Sequence, residues 1–190
     1  MTAVPVQQRM TADEFLAIPH GEGPRWQELV DGEVVVNEPN ALHNYVLSNL
    51  MFALGAWTRS EEGRGRIFVP LDVKLDDLNV FAPDLSWYST AQAPRAHDPP
   101  PYPCPDIAVE ARSPSTWRYD IGAKKALYED HGLHELWLVD TKAEEVLVFR
   151  RSKPSGKTFD VSLELGLGEA LESPLLLGFG LALDELFDLT

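Results

Sequence analysis

Cysteine is nearly absent. Cys104 stands alone, so no internal disulfide can form, which fits a reducing, cytoplasmic setting, the location expected for this chain. Long apolar runs are also missing: none reaches the roughly 18 residues that a membrane helix needs, so no membrane partner is expected. The N-terminus lacks the basic region and apolar core of a signal peptide. Positive charge is scarce as well. Sixteen Lys and Arg face 30 Asp and Glu, a formal net charge of -14. Proteins that grip nucleic acid with their bulk surface are basic, because phosphate contacts supply most non-specific affinity. This surface should repel polyanions at long range. Nucleic acid is therefore disfavoured as a partner, except for a nuclease whose carboxylates are neutralised by metal.

What remains is an ordinary globular composition. The 190 residues are 44% hydrophobic, enough for one domain with one core across residues 1–190. Residues 1–10 read as a loose arm. Thr11 and Glu14 form a capping-box pattern that opens a short helix, stopped by Pro19 and Gly21. Trp26 to Glu38 reads as a β-hairpin around Asp31-Gly32. Glu28 and Glu33, near that turn, read as solvated carboxylates as readily as functional ones. Leu42, Val46, Leu50, Ala53, Leu54 and Trp57 recur at helical spacing, which predicts a helix over 40–60 with Asn40 as N-cap. His43 in its first turn fits a packed or capping group better than a ligand. Strands are expected at 67–69, 73–75 and 80–88, the last bent at Pro83. The Pro-rich loop 89–105 is a flap over a site or a rigid connector. Ser115 to Asp120 leads into a helix whose face carries Ile121, Lys124, Leu127 and Tyr128. Strands at 135–140, 145–150 and 159–165, then a last short helix at 183–189, complete the chain.

The most informative stretch is 105–116. Ile107 and Val109 point to one side of a short apolar strand, and Asp106, Ala108 and Glu110 to the other. A carboxylate inside such a strand is costly unless a cation, a lysine or a metal ion pairs with it. Asp84 follows Pro83 on the preceding strand, and Lys124 lies on the following helix. Two carboxylates on neighbouring strands suit a hard divalent ion, since Mg²⁺ takes one or two carboxylates and completes its shell with waters and substrate oxygens. A nearby lysine would orient a water or stabilise charge on a transferring phosphate.

These segments resemble the Uma2 family of restriction-endonuclease-like proteins, within the PD-(D/E)XK nuclease superfamily. The resemblance spans about residues 11–150 and is carried by Glu28 to Glu33, the His43 helix, Pro83-Asp84-Leu85, Pro105 to Glu110 with Ser113-Pro114-Ser115, Asp120…Lys124…Tyr128, and His131 to Asp140. It implies an α/β fold: a restriction-endonuclease-like core with a mixed central sheet flanked by helices. It implies Asp84 and Glu110 as metal-binding acids, aided by the Ala111 carbonyl, and Lys124 as the catalytic lysine, with Mg²⁺ or Mn²⁺ as cofactor. The signature lysine usually follows the second acid by two residues. Here that position is Arg112, and the resemblance implies that the lysine has moved to the following helix, where Lys124 stands. Arg112 would contact a phosphate, or pair with Glu110 and block metal binding. Glu33 and His43 fit family positions as an outer metal ligand and a site-lining group. The implied activity is metal-dependent hydrolysis of nucleic-acid phosphodiesters. The alternative is a nuclease fold that binds or regulates without turnover. A homodimer built by the apolar tail 174–189 and the hairpin is also expected.

Overall fold

The structure, a computed structural model, describes residues 9–19, 26–113, 117 and 120–189. The expected arm, apart from Arg9 and Met10, and the helix entry at Ser115, Thr116, Arg118 and Tyr119 lie outside them. Helix α1 (Ala12–Leu16) starts with a full capping box: the Thr11 hydroxyl accepts from the Glu14 N–H at 3.3 Å, and the Glu14 carboxylate accepts from the Thr11 N–H at 2.8 Å. Strands β1 (Gln27–Val30) and β2 (Glu33–Val36) pair through a turn with positive φ at both Asp31 (52°) and Gly32 (75°). A side chain at Gly32 would also meet Arg9, 2.5 Å from its Cβ, so glycine is required there twice over. Helix α2 (Ala41–Ser60) is capped by Asn40, whose side chain accepts from the His43 N–H at 2.9 Å.

Two sheets share the chain. The smaller has the order β2-β1-β5-β4, with β4 (Val73–Asp76) and β5 (Asn79–Phe81). The larger has the order β10-β9-β8-β7-β6-β3. Its members are β3 (Arg66–Phe68), β6 (Leu85–Tyr88), β7 (Ile107–Ala111), β8 (Glu135–Asp140), β9 (Glu145–Arg150) and β10 (Val161–Leu165). It is mixed: β7 and β8 run parallel and the other pairs antiparallel. A further pair, β11 (Ala170–Leu171) with β12 (Leu181–Ala182), precedes helix α4 (Leu183–Leu186). Between β7 and β8 the chain makes a π-helical turn (Asp120–Lys124) that runs into α3 (Lys125–Asp130).

Side-chain alternation divides the core. Ile107, Val109 and Ala111 of β7, with Trp137 and Val139 of β8, pack under α2 and the C-terminal segment. Ala108, Leu136 and Leu138 face the opposite way, against Tyr128, Leu133, Phe81 and Val30. Glu110 shares the parity of Ala108 and so lies on this second side, beneath α3 and the small sheet.

Three expectations need correction. Residues 80–88 are not one bent strand: β5 belongs to the small sheet and β6 to the large one. Pro83 between them has no N–H to continue a ladder, so the chain changes sheet there. That puts Asp84 at the junction. Ile121 is 46% exposed, because the π-helical turn carries Asp120 and Lys124, not Ile121, to the buried side. The last helix is shorter than expected, and the β11–β12 pair had no clear signal.

Candidate active site

The partner that Glu110 requires is Lys124. Its ammonium lies 2.7 Å from Glu110 Oε1, 3.0 Å from both carboxylate oxygens of Glu28 and 3.3 Å from Asp120 Oδ1. Lys124 is 1% exposed and Glu110 4%. Tyr128, one α-helical turn beyond Lys124, donates its hydroxyl to Glu110 Oε1 at 3.0 Å. Glu28 Oε1 also accepts from the Ala82 N–H at 2.8 Å, which fixes the carboxylate to the crossing between the sheets. Lys124 further sits over the Phe81 ring, 5.4 Å from its centroid.

Asp84 stands beside this cluster. One step past the Leu85–Val109 pair, the β6–β7 register sets Asp84 opposite Glu110. Asp84 Oδ2 accepts from the Ala111 N–H at 2.8 Å, and Oδ1 faces His43 Nε2 at 3.4 Å. His43 is 2% exposed, and among the described residues its Nδ1 makes no hydrogen bond.

The charges do not balance. Among the described residues, Glu28, Asp84, Glu110 and Asp120 are all buried, with Lys124 as the one ammonium among them. Burial pushes the Glu110 carboxyl well above its ordinary pKa; Lys124 opposes this, while Glu28, Asp120 and Asp84 add to it. Burial also raises Glu28, despite Lys124 and the Ala82 N–H. For Lys124, burial favours the neutral amine. Glu110, Glu28 and Asp120 outweigh it and hold the pKa well above the usual lysine value, so the ammonium stays charged. Burial would likewise lower His43, and the Asp84 carboxylate reverses the sign.

Asp84, Glu110 and Lys124 thus lie in one buried neighbourhood, and the geometry departs from the sequence reading at Arg112 and Glu33. Arg112 does not pair with Glu110. It lies next to Asp140 across the parallel β7–β8 pair and bonds it at 2.6 Å, with its guanidinium over the Trp117 ring. Glu33 is exposed: it pairs with Val30 at the turn end of the hairpin, two steps beyond the Glu28–Val35 pair. Asp106, at the other end of β7, binds the Ser89 N–H, Gln92 and His134 and takes no part in the cluster. Glu28 is the acid that the sequence reading left unassigned. Its signal was its parity with Val30, which points it toward the same interior.

A divalent cation fits the chemistry of these donors. Among the described residues, no three or more His, Cys, Asp or Glu side chains form a ready-made metal cage. Two adjacent hard carboxylates do suffice for Mg²⁺ or Mn²⁺. The contacts to Glu110 from Lys124, at 2.7 Å, and from Tyr128, at 3.0 Å, fall on Oε1. The buried excess of acids over cations, which helps to raise the Glu110 carboxyl, is what such an ion would relieve. A groove of about 1230 Å³ opens onto the cluster, with Glu28, Asp84 and His43 in its floor and Pro100 and Tyr102 of the Pro-rich loop in its wall. The loop is thus part of a wall rather than a bare connector. Glu110 and Lys124 lie behind the lining residues.

The layered fold and this cluster define a restriction-endonuclease-like protein. A solved structure from Anabaena variabilis, described as a "putative nuclease", shares the fold, with a TM-score of 0.76 at 20% identity over 94% of this chain and 97% of that one. The Uma2 family model, described as "putative restriction endonuclease", matches residues 12–184. The chain belongs to the Uma2 family. No curated protein matches it. No helix among the described residues is long and apolar enough to cross a membrane.

Proposed function

We propose that this protein is a metal-dependent nuclease that hydrolyses phosphodiester bonds of nucleic acid. The observation that carries the reading is three buried carboxylates, Glu28, Glu110 and Asp120, around the buried Lys124 ammonium, with Asp84 alongside and Glu28 and Asp84 lining a groove. Asp84 and Glu110 would hold Mg²⁺ or Mn²⁺, which when bound supplies Lewis acidity toward a phosphoryl oxygen and a more acidic water. The remaining roles belong to the chain. Lys124 is a fixed positive charge and a hydrogen-bond donor, not a base, because its neighbours keep it protonated. It would turn one N–H toward the attacking water or the phosphate, and the contact most easily released is the longest, to Asp120 at 3.3 Å. Glu28 positions Lys124, Tyr128 orients Glu110, and His43 with the Ala111 N–H orients Asp84.

The test is cleavage of varied DNA and RNA across a Mg²⁺ and Mn²⁺ titration, with Glu110→Ala as control. Metal-dependent cleavage that disappears in the variant is expected; cleavage that persists in it would overturn the assignment. A second reading, a nuclease fold that binds or regulates without turnover, draws on the net charge of -14 and on the full engagement of Lys124 by acids. Calorimetry without Mg²⁺ or Mn²⁺ binding at millimolar concentration would favour it. The proposal keeps the homodimer expected from the apolar tail, and a monomer by light scattering at micromolar concentration is the contrary result.

A further inference from the structure

We propose that the groove selects single-stranded nucleic acid, holding it by stacking unpaired bases on Trp26 and Tyr102 rather than by gripping phosphates. This rests on the nuclease reading above. The first observation is electrostatic. Among the described residues, no Lys or Arg lines the groove; its charged lining is Glu28, Asp72 and Asp84. Among the described residues no cation there neutralises a row of phosphates, and the chain's net charge of -14 opposes their approach. The counterion-release energy that holds most duplex-binding proteins to DNA is missing.

The second observation is the character of the walls. Trp26 is 48% exposed, Val69 56% and Met51 39%, and Phe15, Leu47 and Tyr102 extend the same apolar lining. The two aromatic platforms are held in place. The Trp26 carbonyl accepts from the Asn37 N–H at 2.8 Å, which continues the hairpin ladder and sets Trp26 two residues before the floor acid Glu28. The Tyr102 N–H donates to the Asp72 carbonyl at 2.8 Å, and Tyr102 bridges to Val73. At about 1230 Å³ the groove exceeds the roughly 300–1,000 Å³ of small-molecule pockets, so it admits an extended segment. A duplex offers phosphates outward and hides the faces of its bases. A single strand offers those faces, and stacking on aromatic side chains tolerates any sequence. With the bases on the walls, only the scissile phosphate meets the acidic floor, where the cation of the proposed reaction would neutralise it.

The test is fluorescence anisotropy with a labelled single strand of about 12 nucleotides, within the usual span of single-strand sites, and the matching duplex. Both are measured in Mg²⁺ across about 50 to 200 mM salt. The wild type should bind the single strand at least tenfold more tightly than the duplex, with little salt dependence. Trp26→Ala should weaken single-strand binding by roughly 5- to 100-fold, the loss of one stacked base. Trp26→Phe should restore most of it. Phe52→Ala, on the exposed face of α2 outside this groove, should change nothing. Equal binding of the duplex, a steep salt dependence, indifference to Trp26→Ala, or no binding of either probe would overturn the proposal. Glu110-dependent cleavage of duplex would sink this inference and leave the nuclease reading standing. Strand-selective, Trp26-dependent binding without Glu110-dependent cleavage would do the reverse.

Discussion

The two ends of β7 each bury an acid, and they treat it in opposite ways. At the start of the strand, Asp106 accepts from the Ser89 N–H at 2.7 Å and from Gln92 at 3.1 Å, with His134 at 3.2 Å. Those partners close the loop after β6 onto the sheet, and among the described residues no second acid contacts Asp106. At the far end, four residues on, Glu110 shares Lys124 with Glu28 and Asp120, while Asp84 stands opposite across β6. A buried acid surrounded by neutral and polar donors is an architectural clamp. A buried group of acids with one ammonium between them keeps a charge that folding alone does not require. Burial does not separate the two ends, since Asp106 is 5% exposed and Glu110 4%. The balance of charge around each acid does.

Breaking the Glu110 end should have the largest effect. Lys124→Met leaves three buried carboxylates without their cation and should cost about 3–5 kcal/mol in urea unfolding at neutral pH. The sign of its pH dependence is fixed. Glu28 and Glu110 have raised pKa values in the folded state, and losing Lys124 raises them further. The folded variant then binds more protons than the unfolded chain above the ordinary carboxylate pKa, so stability falls as pH rises. The deficit should be smaller near pH 5 than at pH 7. Asp106→Ala, at the other end, should cost about 1–3 kcal/mol by leaving the Ser89 N–H unpartnered, with cation binding unchanged. Asn40→Ala should cost about 1 kcal/mol through loss of the α2 cap, read in the same unfolding experiment. The smallest effect is expected at a third buried acid. Glu135 accepts from Trp137 Nε1 at 2.8 Å and from the Ser173 hydroxyl at 2.6 Å, and burial raises its pKa. That cost is absent at low pH and grows as pH rises through the raised pKa. The stability of Glu135→Gln relative to wild type should therefore improve between about pH 4 and pH 7.

The sequence carried most of the local structure and part of the site. Asp31-Gly32, Asn40 and the Thr11–Glu14 box mark boundaries that depend on one turn of chain, and all three hold. The alternation in β7 correctly put Glu110 opposite in sense to Val109. The four-residue spacing of Asp120, Lys124 and Tyr128 suggests one shared helical face, and all three are buried, though the π-helical turn left Ile121 outside. What failed needed long-range information. Gln27-Glu28-Leu29-Val30 looks like an edge hairpin until β5 pairs with it and the Ala82 N–H reaches Glu28. Arg112 looked like a rival for Glu110 because the two share parity on one strand. Its actual partner, Asp140, is a neighbour only once β8 lies parallel to β7. The assignment of Glu33 failed for a similar reason: it has the right face of the hairpin but lies two pairs too near the turn.

The claim that the Glu110 end is a cation site and the Asp106 end is not comes down to one titration. Mn²⁺ binding should be followed by calorimetry on the wild type, Glu110→Gln and Asp106→Ala, each verified as folded. The account predicts binding in the wild type, loss of it in Glu110→Gln and its retention in Asp106→Ala. Binding that survives Glu110→Gln, or a wild type that takes up no Mn²⁺ at millimolar concentration, would contradict it.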